Sequence, residues 1–212
     1  MRQPLSVMHT EYESGDHLGA LAALVTQTPI FIMVAYATLL ASRRDLSTAA
    51  LLLGQLLNEV LNYLLKRTLA EPRPAGSPSF APEHGMPSNH AQFMSFIVAA
   101  GGLWAVRRWG VGLLWRVTAI TGAATLAGAV CASRLYLGYH DARQVGAGVI
   151  VGAVAGTCWH VVTQVFLRPA FPALAATPFA RFLLVRDCTN VPNVLWAEYL
   201  VASPQVSKGR RA

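Results

Sequence analysis

Three short polar clusters interrupt this chain where apolar stretches end: Lys66 to Pro74 (KRTLAEPRP), Pro87 to His90 (PSNH) and Ser133 to His140 (SRLYLGYH). Among their residues are three cations, Lys66, Arg73 and Arg134, and two histidines, His90 and His140. Guanidinium and ammonium groups neutralise phosphoryl oxygens, and an imidazole can attack phosphorus or move a proton. The set therefore suits binding a phosphate and breaking a bond to it. Each cluster alone has a simpler reading, since a lysine and an arginine at an apolar boundary commonly anchor a helix at a membrane surface. A histidine after a Tyr- and Leu-rich link is an ordinary loop residue. Taken together they point to a site. In the first cluster Pro72 and Pro74 stiffen the chain and turn Arg73 back. In the second, Gly85, Pro87, Ser88 and Asn89 are turn residues just ahead of an apolar helix. Backbone amides and a helix N-terminus then converge on an anion pocket, with His90 beside it as a proton donor. In the third, Arg134 offers a two-pronged fork.

The elements that must position these residues follow from composition. Of 212 residues, 54% are hydrophobic and 13% charged, which leaves few groups to cover a water-facing surface. The expected fold is an all-α, polytopic helical membrane protein with about five spans, at 18–41, 46–65, 91–106, 111–132 and 145–167. They form the core, 18–167, of a single membrane-embedded domain whose remainder, 168–212, is an interfacial and cytosolic tail. The polar, mostly acidic stretch from His9 to His17 is no basic leader, so the first span is expected to be a retained anchor. Alternating direction puts all three clusters on one side. The other side receives Arg43, Arg44, Arg107, Arg108, Arg168, Arg181, Arg186, Lys208, Arg210 and Arg211. Positive residues collect in cytosolic loops, so the clusters are expected to face a lumen or periplasm. The +7 net charge is spread over loops and tail rather than one face, which fits this topology and not nucleic acid. Cys131, Cys158 and Cys188 form no paired framework.

Within the second span Gln55, Asn58, Glu59, Asn62 and Lys66 recur at helical spacing, a polar stripe that must face protein or water. For Glu59 two readings stand, a wall leading to the site or a buried hydrogen-bonded strut. Gly148, Gly152 and Gly156 mark a close helix contact. Pro169 and Pro172 are expected to break any continuing helix, leaving Phe171 to Arg186 along the interface.

The order K-x6-R-P, then P-S-x-H, then S-R-x5-H resembles the type 2 phosphatidic acid phosphatase (PAP2) superfamily, whose fold is shared with vanadium haloperoxidases. Within it, NEVLNYLLKRTLAEPRP, GMPSNHAQFMSF, SRLYLGYHDARQV and the tail RDCTNVPNVLWAEY resemble the dolichyldiphosphatases. The resemblance implies that Lys66, Arg73 and Arg134 hold a phosphoryl group, assisted by Ser88 and the Asn89 amide. It implies that His140 attacks phosphorus to give a phosphohistidine, and that His90 protonates the leaving oxygen and then helps activate water. It implies no metal and no cofactor, a polyprenyl diphosphate substrate in the bilayer, and an endoplasmic reticulum membrane with the site facing the lumen. Two residues depart from the superfamily pattern. Gln144 stands where most members have an aspartate to orient the nucleophilic histidine, and Asn89 stands where many have glycine. Asp141 is a weaker substitute for that aspartate, because adjacent side chains rarely face one another. Other readings are a broader lipid phosphate or undecaprenyl diphosphate phosphatase and a non-catalytic prenyl-phosphate carrier, for which one or both histidines would be missing.

Overall fold

A computed structural model of the chain describes residues 2–5, 10–78, 84–108 and 112–203. The chain is a multi-pass helical membrane protein. A two-stranded antiparallel hairpin, β1 (Arg2–Leu5) and β2 (Thr10–Glu13), precedes the helices α1 (His17–Val25), α2 (Thr28–Arg43), α3 (Leu46–Leu69), α4 (Asn89–Arg108), α5 (Leu113–Tyr136) and α6 (Ala142–Val162). A π-helical turn, Thr163–Leu167, leads into α7 (Arg168–Ala175), followed by α8 (Pro178–Phe182) and α9 (Val194–Ala202).

Four helical stretches are long and apolar enough to cross a bilayer: His17–Arg43, Leu46–Leu69, Leu113–Tyr136 and Ala142–Ala175. The remaining expected span lies in α4, whose polar residues keep its hydropathy lower. That helix runs through the interior. Ala91, Gln92, Phe93, Met94 and Phe96 are buried, and Phe93 and Met94 pack with Ala127 and Val130 of α5. The other helices turn the usual pattern inside out, since Leu53, Leu56, Leu57 and Val60 of α3 are exposed for lipid while Gln55, Asn58 and Asn62 are buried. The polar stripe of α3 thus faces protein. Gln92 donates from Nε2 to Asn58 Oδ1 at 2.8 Å and to the Asn58 carbonyl at 2.9 Å. Asn62 donates to Gln92 Oε1 at 2.8 Å and to the Pro87 carbonyl at 3.3 Å. Glu59 bonds Gln55 and the Asn89 side chain, as the strut reading has it.

α4 packs most extensively against α6, and glycine is the reason. A Cβ at Gly148 would lie 2.5 Å from the Ser88 carbonyl and one at Gly156 2.6 Å from the Phe96 carbonyl, while one at Gly152 would overlap the Gln92 carbonyl. The backbones are in direct contact.

Three expectations need correction. The first span is two helices, broken at Thr26 and Gln27. A β-hairpin precedes the helices. Pro169 and Pro172 do not end the helix of span five, which runs on to Ala175. The π turn ahead of Pro169 shifts the hydrogen-bond ladder; Pro169 is carried in the first turn of α7, where a missing N–H costs least, and Pro172 lies inside that helix.

The tail folds back on the end of the bundle opposite the polar clusters. Arg186 donates from Nε and Nη2 to the Arg43 carbonyl at 3.0 and 2.8 Å, the Cys188 N–H donates to Asp45, and Glu198 pairs with Arg43 at 3.2 Å. The side chains of Arg107 and Arg108, and residues Lys208, Arg210 and Arg211, lie outside the described residues.

Gly152→Ala should lower stability by about 1–3 kcal/mol through overpacking against α4. Gly122→Ala, where a Cβ meets nothing within 4 Å, should be neutral or slightly stabilising. Thermal unfolding of both proteins in detergent reads the difference, and equal midpoints would contradict the direct backbone contact.

Candidate active site

The ends of α3 and α5 and the starts of α4 and α6 meet at one end of the bundle, and each contributes polar side chains. Lys66 stands in the last turn of α3, where a cation also suits the helix C-terminus, and donates to the His84 carbonyl at 3.4 Å. The loop beyond it returns through a bridge between Pro72 and His84. This return brings Arg73 against His140.

Three hydrogen bonds define the state of His140. Gln144 donates from Nε2 to the Pro72 carbonyl at 2.8 Å, and because a carbonyl can only accept, the amide oxygen must face the other way. That oxygen, Oε1, lies 3.0 Å from His140 Nδ1, so Nδ1 carries the proton and Nε2 the lone pair. Arg73 Nη1 sits 3.2 Å from Nε2 and also donates to the Tyr139 carbonyl at 2.7 Å. Burial, then the Arg73 and Arg134 cations, hold the His140 imidazole at about 3, far below its ordinary 6.5, with Gln144 opposing. The ring is therefore neutral, with its Nε2 pair turned to the Arg73 guanidinium. That arrangement fits a nitrogen nucleophile facing an anionic electrophile.

Asp141 does not orient His140. It caps α6, accepting the Gln144 N–H at 2.8 Å. The amide fits its slot because residue 85 is glycine: a Cβ there would lie 2.5 Å from Gln144 Oε1. The Ser88 N–H donates to the Gln144 carbonyl at 2.9 Å, tying the α4 entry to the same residue.

His90, half-buried in the first turn of α4, lies within electrostatic reach of Arg134, His140, Lys66 and Arg73. Ser88 is fully buried, and its Oγ has no partner among the described residues. The Asn89 side-chain amide reaches Glu59, while its Oδ1 is buried with no partner among the described residues. Arg134 is buried, donates from Nη1 to Thr26 Oγ1 at 3.1 Å and lies 3.9 Å above the Tyr139 ring. Among the described residues no cluster of three His, Cys, Asp or Glu side chains could hold a metal ion.

The structure thus gathers Lys66, Arg73, His90, Arg134, His140 and Gln144. Sequence reasoning missed Gln92, Thr26 and Tyr139. Gln92 had a signal, a second amide one turn from the α3 stripe's level in an apolar helix. Thr26 had none, because a threonine in an apolar run reads as filler.

The family model that matches residues 47–168 is that of the PAP2 superfamily. Dolichyldiphosphatase 1 of Mus musculus is 38% identical, over 99% of this chain and 92% of its own length. Dolichyldiphosphatase 1 of Dictyostelium discoideum is 34% identical over 92% and 86%. Lipid phosphate phosphatase gamma of Arabidopsis thaliana is 30% identical over 92% and 88%. Among solved structures, a transmembrane PAP2 type phosphatidylglycerolphosphate phosphatase from Bacillus subtilis shares the fold, with a TM-score of 0.61 over 72% of this chain and 80% of that one, at 19% identity.

A histidine held so low stays neutral as pH falls, while the unfolded chain takes up the proton at about 6.5. His140 therefore supports stability above that pH, and the support is lost between about 6.5 and 3. Histidine side-chain NMR in detergent should show an Nδ1–H tautomer at neutral pH that resists protonation down to about 3. A ring titrating near 6.5 would contradict the electrostatics described.

Proposed function

The chain belongs to the PAP2 superfamily, and on that premise we propose that it hydrolyses a dolichyl-type polyprenyl diphosphate to the lipid monophosphate and inorganic phosphate. The observation that carries the reading is the His140 ring, neutral, with its Nε2 pair directed at Arg73 by the Gln144–Pro72 link. Near-full-length similarity to proteins named dolichyldiphosphatase supports this substrate class.

In the proposed mechanism Lys66, Arg73 and Arg134 hold the oxygens of the terminal phosphoryl group. Arg73 Nη1 passes from the Nε2 pair to a phosphoryl oxygen, which exposes that pair. Nε2 forms a bond to the terminal phosphorus as the bond to the bridging oxygen breaks. His90 gives that oxygen a proton, and the lipid monophosphate leaves. Water then attacks the phosphohistidine, His90 takes a proton from it, and inorganic phosphate departs with His140 restored. The developing charge is met by cations fixed in place before the reaction.

Gln144 suits this substrate. A neutral amide fixes the tautomer but stabilises the emerging imidazolium less than a carboxylate would. A diphosphate expels a phosphate monoester, a better leaving group than an alkoxide, so the weaker push suffices and monophosphates are spared. Positive residues at the opposite end, Arg43, Arg44, Arg168, Arg181 and Arg186, support a site facing the lumen of the endoplasmic reticulum. There the product would return to the pool of glycan carrier. The whole chain, 1–212, then acts as one membrane-embedded phosphatase domain. A broader lipid phosphatase is the second reading, favoured by the Arabidopsis relative.

Phosphate release from dolichyl diphosphate in detergent should fall at least about a thousandfold in His140→Ala and survive excess chelator. An active His140→Ala protein would remove the nucleophile, and loss on chelation would contradict catalysis by fixed cations alone. A panel with phosphatidate, undecaprenyl diphosphate and dolichyl phosphate should favour the prenyl diphosphates, and a preference for phosphatidate would establish the second reading. Gln144→Asp should gain relative activity on dolichyl phosphate; without that gain, the link between the amide and the leaving group is wrong.

A further inference from the structure

We infer that Thr26 and Tyr139 are positioning residues for Arg134, which makes residues 10–28, ahead of the part matched by the superfamily model, a working part of the phosphate cup. The inference rests on Arg134 holding a phosphoryl group, as proposed above.

Arg134 is 5% exposed at the end of α5, and a buried cation needs partners that fix it. None of the ion pairs among the described residues includes it. Its neighbours are instead a hydroxyl and an aromatic face, Thr26 Oγ1 at 3.1 Å from Nη1 and the Tyr139 ring 3.9 Å from Cζ. Both orient the guanidinium without cancelling its charge. A carboxylate at position 26 would hold it equally well and consume the charge meant for an anion. Covalent geometry then sets the aim, because a guanidinium tied at Nη1 keeps the edge bearing Nε and Nη2 for a bidentate contact. Nε is buried and has no partner among the described residues.

The two orienting groups are themselves held. Thr26 is 1% exposed at the joint between α1 and α2, its N–H bonded to the Ala22 carbonyl. Beside it Gln27 donates to Thr10 Oγ1 at 2.6 Å and to the Ala23 carbonyl at 3.3 Å. Tyr139 accepts the Glu11 N–H on its hydroxyl at 3.1 Å, while its carbonyl accepts Arg73 Nη1 at 2.7 Å. One tyrosine therefore links strand β2 to both arginines of the cup. The break between α1 and α2 is what brings a side-chain oxygen to Arg134 within the bundle.

The test is a cycle on turnover of dolichyl diphosphate by the full chain, with orthovanadate inhibition as a second readout. Thr26→Val, equal in shape, should lower kcat/KM about ten- to a hundredfold, the loss of one bond to a charged group. Orthovanadate inhibition should weaken in parallel, and Thr26→Ser should recover most of both. In an Arg134→Lys background, where no guanidinium reaches the hydroxyl, Thr26→Val should cost nothing further. An equal cost in both backgrounds, or full activity of Thr26→Val, overturns the inference. Should the valine protein fail to fold, Thr26→Cys, similar in size with a weak acceptor, gives the same readout. Full activity of Arg134→Ala would instead sink the reading of the cup on which this rests.

Discussion

Hydrocarbon neither donates nor accepts a hydrogen bond, and that constraint fixes how α3 and α4 are turned toward each other. The amides of Asn58, Gln92 and Asn62 find their partners in one another, and Asn62 also reaches the Pro87 carbonyl. The pairing allows one rotation of each helix. With that rotation the last turn of α3 presents Lys66, and the first turn of α4 presents Ser88 to His90, at a common end. Rotating either helix to show lipid another face would strand three amides. The cup is a consequence of what the bilayer forbids.

Within the cup, direction and charge are handled by different groups. Pro72, Gln144 and Gly85 set the imidazole: a carbonyl orients an amide, the amide orients a ring, and the missing side chain at residue 85 leaves the amide its space. None of these bears charge. Arg134 joins none of the ion pairs among the described residues, Asp141 caps a helix, and Glu59, within electrostatic reach of Lys66, bonds the amides of Gln55 and Asn89. A site that orients an imidazole with neutral groups keeps its field for an anion.

Much of this was legible in the sequence because bilayer thickness imposes a ruler. Spans of about twenty residues placed Lys66, His90 and Arg134 at one end before any contact was known. The stripe from Gln55 to Lys66 announced a buried polar face for the same reason. What stayed hidden depends on partners distant in the chain. Thr26 carries no mark of its own, and its contact with Arg134 joins residues far apart in sequence. Pro169 and Pro172 misled because the rule against proline in helices assumes an unbroken i→i−4 ladder, and the π turn before them shifts that ladder. The hairpin at the N-terminus was missed because four-residue strands have too little periodicity to register.

The glycine seam between α4 and α6 has one more consequence. Where two main chains touch, there is no side chain left to trim or enlarge, so the gap between these helices cannot be graded by small substitutions. The His90 and His140 ends of the cup are therefore set like the jaws of a locked caliper. Adjustment is left to contacts built from side chains, such as Phe93 and Met94 of α4 against Ala127 and Val130 of α5.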